Sequence, residues 1–139
     1  MRALGLDIGE RRIGVASGDT DTGIAVPTGV IENSTDAVVD VLREAQARDA
    51  AVVIVGMPYS MSGRVGPQAQ VVQEFVWRLE EAGLEVETVD ERLSSSEAER
   101  ALAGGRVRGR GRRKPERGAV DAAAAVVILQ AWLDRRRRD

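Results

Sequence analysis

The sequence predicts an α/β domain built on a mixed five-stranded sheet, with three antiparallel strands, two parallel ones and helices on both faces. Three observations carry this. Three short apolar segments follow one another through turns at the N-terminus. Two further apolar segments are each reached through a stretch of helical periodicity, and an alanine-rich helical stretch closes the chain. Strands linked by short turns form an antiparallel meander, whereas strands reached through helices lie parallel to the first.

Residues 2–9 read as the first strand and 12–18 as its hairpin partner, through a turn at Glu10-Arg11. Residues 23–31, with Ile24, Val26, Val30 and Ile31, form a weaker third strand, and Pro27 marks it as an edge or bulged strand. A helix follows, with Ser34 or Thr35 as N-cap and Val38, Val41, Leu42 and Ala45 at helical spacing. Ala50 to Gly56, with its run Val52-Val53-Ile54-Val55, reads as a parallel strand covered on both faces. A loop from Met57 to Gly63 leads to Pro67, which opens a second helix whose buried face is Val72, Phe75, Val76 and Leu79, with Gly83 at its C-terminal cap. Leu84 to Val89 alternates and is the fifth strand. Ser94 to Ala103 reads as a short helix, since Ser94-x-x-Glu97 resembles a capping box. A Gly/Arg loop over 104–118 precedes the last helix, 119–134, and a basic tail at 135–139.

The chain has 139 residues, 43% of them apolar but only 3% aromatic, so the core is built from Val, Leu, Ile and Ala. One domain of this length buries about two thirds of its unfolded surface. It contains no His, no Cys and a single Lys, Lys114. This excludes an imidazole base, a Ser-His-Asp triad, a thiolate nucleophile, His- or Cys-ligated zinc and any disulfide. Lys114 is not in a GxxxxGK[ST] setting, so no P-loop is present. Carboxylates, hydroxyls and Arg remain, and the reaction system suited to that set is carboxylates with hydrated Mg²⁺ or Mn²⁺. No apolar run approaches the ~20 residues of a membrane span, and a cysteine-free chain is expected in the cytoplasm.

Asp7 stands in the middle of the first strand, in Leu4-Gly5-Leu6-Asp7-Ile8-Gly9. An ionised Asp is a poor strand residue, and burying it costs several kcal/mol unless something compensates. Asp90-Glu91 stands at the end of the fifth strand. Asp121 is the only charged residue between Gly118 and Leu133. Each has a plain explanation: Asp121 as a first-turn acid favoured by the helix dipole, Asp90 and Glu91 as strand-end acids with Glu91 paired to Arg92. Their convergence on one sheet edge favours a metal-binding carboxylate cluster. A strand–Asp-x-Gly–strand hairpin also opens the actin and sugar-kinase fold, but those proteins place ATP between two such domains, and one domain of this size does not form that cleft.

Net charge is −2, yet residues 106–117 carry seven basic residues and one acid, a local +6, leaving −8 for the remainder. Arg106, Arg108, Arg110, Arg112, Arg113, Lys114 and Arg117 suit a grip on a phosphate backbone, though a solvated charged loop explains the same charge. Arg135 to Arg138 form a second basic run.

Together these residues resemble the YqgF/RuvX family, RuvC-like relatives of Holliday-junction resolvases also described as pre-16S rRNA nucleases, with an RNase H-like fold. The likeness spans Ala3 to about Leu133. It rests on Leu6-Asp7-x-Gly9 with Gly14-Val15-Ala16, Val55-Gly56-x-Pro58 with Gly63, Asp90-Glu91-Arg92-Leu93-Ser94-Ser95, and Asp121-x-Ala123-Ala124. The resemblance implies that Asp7, Glu91 and Asp121 are catalytic and bind Mg²⁺ or Mn²⁺, with Asp90 an accessory. The implied reaction is phosphodiester hydrolysis by an activated water. Two departures stand out. Ala119 occupies a position often basic in relatives, so that role is expected to shift to Arg117 or Lys114, and Ser95 replaces a more usual Thr.

The implied partner is structured nucleic acid, a branched DNA junction or precursor rRNA, read through backbone and shape because stacking residues are few. Tyr59 and Ser60, in the loop after the fourth strand, are candidate substrate contacts, although exposed turn residues read the same way. Resolving a junction takes two symmetric cuts, so a homodimer is expected for that substrate. Trp132 and Leu133 are read as buried against the sheet, with a dimer contact as the second reading.

Overall fold

A computed structural model describes residues 1–92 and 117–138. Three strands open the chain: β1 (Arg2–Ile8), β2 (Arg12–Asp19) and β3 (Ile24–Glu32). Then come α1 (Ala37–Ala47), β4 (Val52–Met57), α2 (Pro67–Glu81) and β5 (Val86–Asp90), and last α3 (Arg117–Arg138). The sheet order is β3-β2-β1-β4-β5, antiparallel through the first three strands and parallel from β1 to β4 to β5. This is the predicted mixed sheet, with helices on both faces. The expected helix at Ser94–Ala103 and residues 104–116 of the expected loop lie outside the described residues.

Side-chain size divides the two faces. Leu4, Leu6 and Ile8 of β1, Ile13 and Val15 of β2, and Val53, Val55 and Met57 of β4 pack with Val41 of α1 and Val72, Phe75, Val76 and Leu79 of α2. On the opposite face Ala3, Ala16, Val52, Ile54 and Val89 pack with Ala125, Ile128, Leu129, Trp132 and Leu133 of α3. Period-two alternation puts small residues of β1 and β2 under α3 and large ones under α1 and α2. Gly5 shows how close α3 comes: a Cβ there would stand 2.7 Å from Leu129 Cβ and 3.0 Å from the Ala125 carbonyl oxygen.

Local signals act as their chemistry requires, with corrections at the helix ends. β3 is the edge strand, and the register shifts between Val15 and Ala16 where Pro27 enters the ladder, so the missing N–H is tolerated. α1 begins one residue later than a Thr35 cap implies and two later than a Ser34 cap. Asp36 is the N-cap and makes no side-chain cap bond, because the Ser34 hydroxyl closes a turn earlier by accepting the Asp36 N–H at 3.2 Å. Pro67 does open α2, and Gly83, at φ 97°, follows its C-cap Ala82. α3 starts at Arg117 rather than 119, so Asp121 lies beyond its first turn, where the dipole effect has faded. It also runs on to Arg138, so the basic tail is helical to that residue. Arg is a good helix former, and the Arg136 guanidinium stacks 4.8 Å from the Trp132 ring one turn back. Trp132 and Leu133 are buried against the sheet, and Trp132 Nε1 donates to Glu87 at 3.1 Å. Gln130 staples α3 to β3, accepting the Ala25 N–H at 3.0 Å and donating to the Gly23 carbonyl at 2.8 Å. Among the described residues no helix is long and apolar enough to cross a membrane.

Candidate active site

The alternation that sends Leu6 and Ile8 under α1 and α2 sends Asp7 to the other face, under α3. Its cross-strand partner is Gly14, and a Cβ on Gly14 would lie 1.9 Å from the Asp121 carbonyl oxygen. Only glycine leaves room for the backbone of α3 there. The absent side chain at position 14 is thus what brings Asp121 beside Asp7.

From the far side of the sheet, β5 delivers Glu91. Asp90 pairs with Met57 at the C-terminal ends of β5 and β4, and Glu91 follows at once. A hydrogen bond joins the carboxyls of Asp7 and Glu91. Burial raises the Asp7 pKa most; the bond to Glu91 opposes the rise and the Asp121 charge adds to it. Burial also pushes Glu91 up to about 7, with the Asp7 charge and their hydrogen bond acting in the same direction. Both carboxyls are thus held above their ordinary range, and the pair favours sharing a proton.

Asp121 has a different partner. Arg12, the first residue of β2, donates through Nε to Asp121 Oδ2 at 2.9 Å. The turn before Arg12 is braced: Gly9 N–H donates to the Arg12 carbonyl at 2.9 Å, and Asn33 donates through Nδ2 to the Gly9 carbonyl at 2.8 Å. Arg12 is a basic neighbour of Asp121 that the sequence motifs do not single out, while Lys114 and the Arg117 side chain lie outside the described residues. The signal was there in the alternation, since Arg12 shares its face with Gly14, the residue opposite Asp7.

Asp90 is held elsewhere. Arg92 takes both of its carboxylate oxygens, Nε at 3.0 and 3.1 Å and one terminal nitrogen at 2.6 Å, which holds Asp90 below the usual carboxylate range. The ion pair anticipated between Glu91 and Arg92 is thus made by Asp90, because Glu91 turns to Asp7. Arg92 also donates to the Ser60 and Met61 carbonyls at 3.4 and 3.3 Å and sits 5.9 Å from the Tyr59 ring, tying the loop after β4 to the end of β5. Tyr59, Ser60, Gln68, Glu91 and Arg92 line a cleft of about 360 Å³ beside the acids. The Ser60 hydroxyl is engaged within its own loop, with Ser62 Oγ at 3.0 Å. A larger cleft, about 580 Å³, lies at the other end of β1, between Arg2, Asp19, Ile24 and Arg48. Asp19 there is paired to the N-terminal amine and Arg48 to Glu44, so the smaller cleft is the one beside candidate chemistry.

The donor set of Asp7, Glu91 and Asp121 is all oxygen, which fits a hard divalent cation and not zinc or copper. Asp7 touches Glu91 and feels Asp121. Among the described residues, however, no three acids are gathered closely enough to grip one ion together. The sheet, its order and the strand-end acids define an RNase H-like fold.

Comparison with known proteins narrows this. Residues 1–135 match the family model described as "RuvX: Holliday junction resolvase". A protein of Anaeromyxobacter dehalogenans named "Putative pre-16S rRNA nuclease" is 45% identical over 139 residues, 98% of each chain. One of the same name from Synechocystis is 42% identical, over 99% of this chain and 90% of that one. Among solved structures, T. thermophilus RuvC in complex with Holliday junction substrate superposes with a TM-score of 0.61 at 18% identity, over 99% of this chain and 96% of that one. The fowlpox virus Holliday junction resolvase gives 0.54 at 10% identity, over 98% and 99%. The chain belongs to the RuvX family.

Proposed function

We propose that this chain is a divalent-metal-dependent nuclease that hydrolyses phosphodiester bonds in structured nucleic acid, with Asp7, Glu91 and Asp121 as catalytic and metal-binding acids and Mg²⁺ or Mn²⁺ as cofactor. The observation that carries this is the half-buried carboxyl pair of Asp7 and Glu91 with the Asp121 charge beside it, an arrangement that a divalent cation would relieve. The bound ion would supply a water of lowered pKa and offset charge developing on the scissile phosphate. Asp7, which is bonded to Glu91 and feels the Asp121 charge, would be the central acid of the set that holds the ion. Asp90, with both oxygens on Arg92, would act from outside that set by keeping the Tyr59–Ser60 loop against the cleft.

The family description supports a branched DNA junction as substrate, and the names of relatives 41–45% identical support precursor 16S rRNA as a second reading. Both are cytoplasmic in a bacterium, and both would be held through the backbone. Junction resolution calls for paired cuts from a C₂ homodimer. Trp132 and Leu133, buried within the chain, would not supply its contact. Arg106, Arg108, Arg110, Arg112, Arg113, Lys114 and Arg117 would hold flanking phosphates, and Arg110, Arg112 and Arg113 changed together to Ala should flatten log K against log salt by about 2–3 units on duplex DNA. An unchanged slope would remove the run from the interface.

The deciding assay offers a four-way DNA junction and precursor 16S rRNA to the protein in Mg²⁺, Mn²⁺ or EDTA. Cleavage of either substrate should stop in EDTA and in Asp7→Asn, while Asp7→Asn keeps the fold and nucleic-acid binding. Cleavage at the wild-type rate in EDTA would refute metal dependence. Binding without any cleavage would point instead to a non-catalytic RNA-binding assembly factor.

A further inference from the structure

Arg12 holds Asp121 through a contact of 2.9 Å, and the two side chains are 34% and 28% exposed. An ion pair so open to water is weakly held, so Asp121 can leave it for a stronger partner. The backbones on either side are fixed: Asp121 rests over Gly14, and Arg12 is braced through Gly9 and Asn33. What remains free to change is side-chain rotation. Asp121 in its present position faces Arg12 instead of completing a three-acid set with Asp7 and Glu91. The planar guanidinium is the side chain best matched to a phosphodiester, and Ala119 offers no basic group at the start of α3.

We propose that Arg12 is an exchangeable counter-ion, which holds Asp121 in the ion-free chain and passes to a phosphate of the bound nucleic acid when Asp121 turns to a divalent cation with Asp7 and Glu91. The inference rests on the metal-binding reading of those acids and adds a residue to it. Arg12 is then a competitor of the ion for Asp121 and a partner of the substrate, two roles of opposite sign. A purely structural Arg12, one that merely orients Asp121 for the ion, has a single sign: losing it would weaken ion binding.

Mn²⁺ binding measured by calorimetry separates the two. Arg12→Gln should bind Mn²⁺ about threefold to tenfold more tightly than the unmodified chain, because a competitor and a nearby positive charge are gone. Arg12→Lys keeps the charge and should stay near the unmodified value. In parallel, Mn²⁺ should increase the affinity for a labelled four-way DNA junction less in Arg12→Gln than in the unmodified chain. Equal or weaker Mn²⁺ binding by Arg12→Gln overturns this inference alone, as does an undiminished Mn²⁺ effect on junction affinity. Absence of Mn²⁺ binding by the unmodified chain, or Mn²⁺ binding unaffected by Asp7→Asn, overturns the metal reading and this inference with it.

Discussion

Compared across the sheet, the face under α1 and α2 is filled by Leu4, Leu6, Ile13, Val15 and Met57, whereas the face under α3 presents Ala3, Gly5, Gly14 and Ala16. The first arrangement maximises apolar area removed from water, at about 25 cal/mol per Å². The second gives up side-chain volume so that a helix backbone lies almost on the strands. Both faces bury a core, but only close approach brings a helical carboxylate to the strand bearing Asp7. All three candidate acids reach the small-residue side. Asp90, next to Glu91 in sequence, is instead bound to Arg92 and the loop after β4.

Truncating a side chain on one face and adding one on the other should have opposite consequences for the site. Leu4→Ala, in the large-residue core, should cost about 2–5 kcal/mol. It should leave Mn²⁺ binding intact at temperatures where the protein is folded. Gly14→Ala should cost about 1–3 kcal/mol as overpacking, yet abolish the rise in melting temperature that Mn²⁺ confers, because α3 must lift Asp121 away from Asp7. Chemical denaturation with and without Mn²⁺ reads both effects. If Gly14→Ala kept the full Mn²⁺ stabilisation, close approach would not be what builds the site.

A smaller effect sharpens the same contrast through pH. Glu91 has its pKa raised from 4.5 to about 7 in the folded chain, and Asp7 is raised as well. Between those values the folded state binds more protons than the unfolded one. Stability is therefore greatest below pH 3.8, the lower of the two ordinary values, as far as this pair is concerned, and falls as pH climbs towards 7. Allowing for solvent screening of half-exposed groups, the loss is on the order of 1–2 kcal/mol. Glu91→Gln should flatten the profile, and saturating Mn²⁺ should reverse its slope by favouring the deprotonated pair. A metal-free preparation whose stability rises between pH 5 and 7 would contradict the upward shift of the pair.

Much of this was legible from residues alone. Apolar alternation and helical spacing placed five strands and three of the helices, because each pattern reports which face of its own element is buried. Asp7 stood out for the same reason, as a charge among neighbours that the pattern buries. Glu91 and Asp121 were readable as acids at element ends and through the family motifs. Their partners were not. Whether Glu91 meets Arg92 or Asp7 depends on which way a strand-end side chain turns, and two adjacent acids look alike until the sheet separates them.

The sequence by itself determined the elements, the strand connectivity and the chemical inventory: oxygen ligands and guanidinium groups, with no imidazole and no thiol. Those properties follow from local periodicity and composition, which short-range sterics and the hydrophobic effect read directly. Tertiary packing alone makes Arg12 and Asp121, 109 residues apart, share a hydrogen bond, joins the carboxyls of Glu91 and Asp7, and makes Gly14 the floor on which Asp121 rests. Such contacts arise only when α3 docks on the sheet, because the approach distance is set jointly by the small residues of two strands and no single segment encodes it.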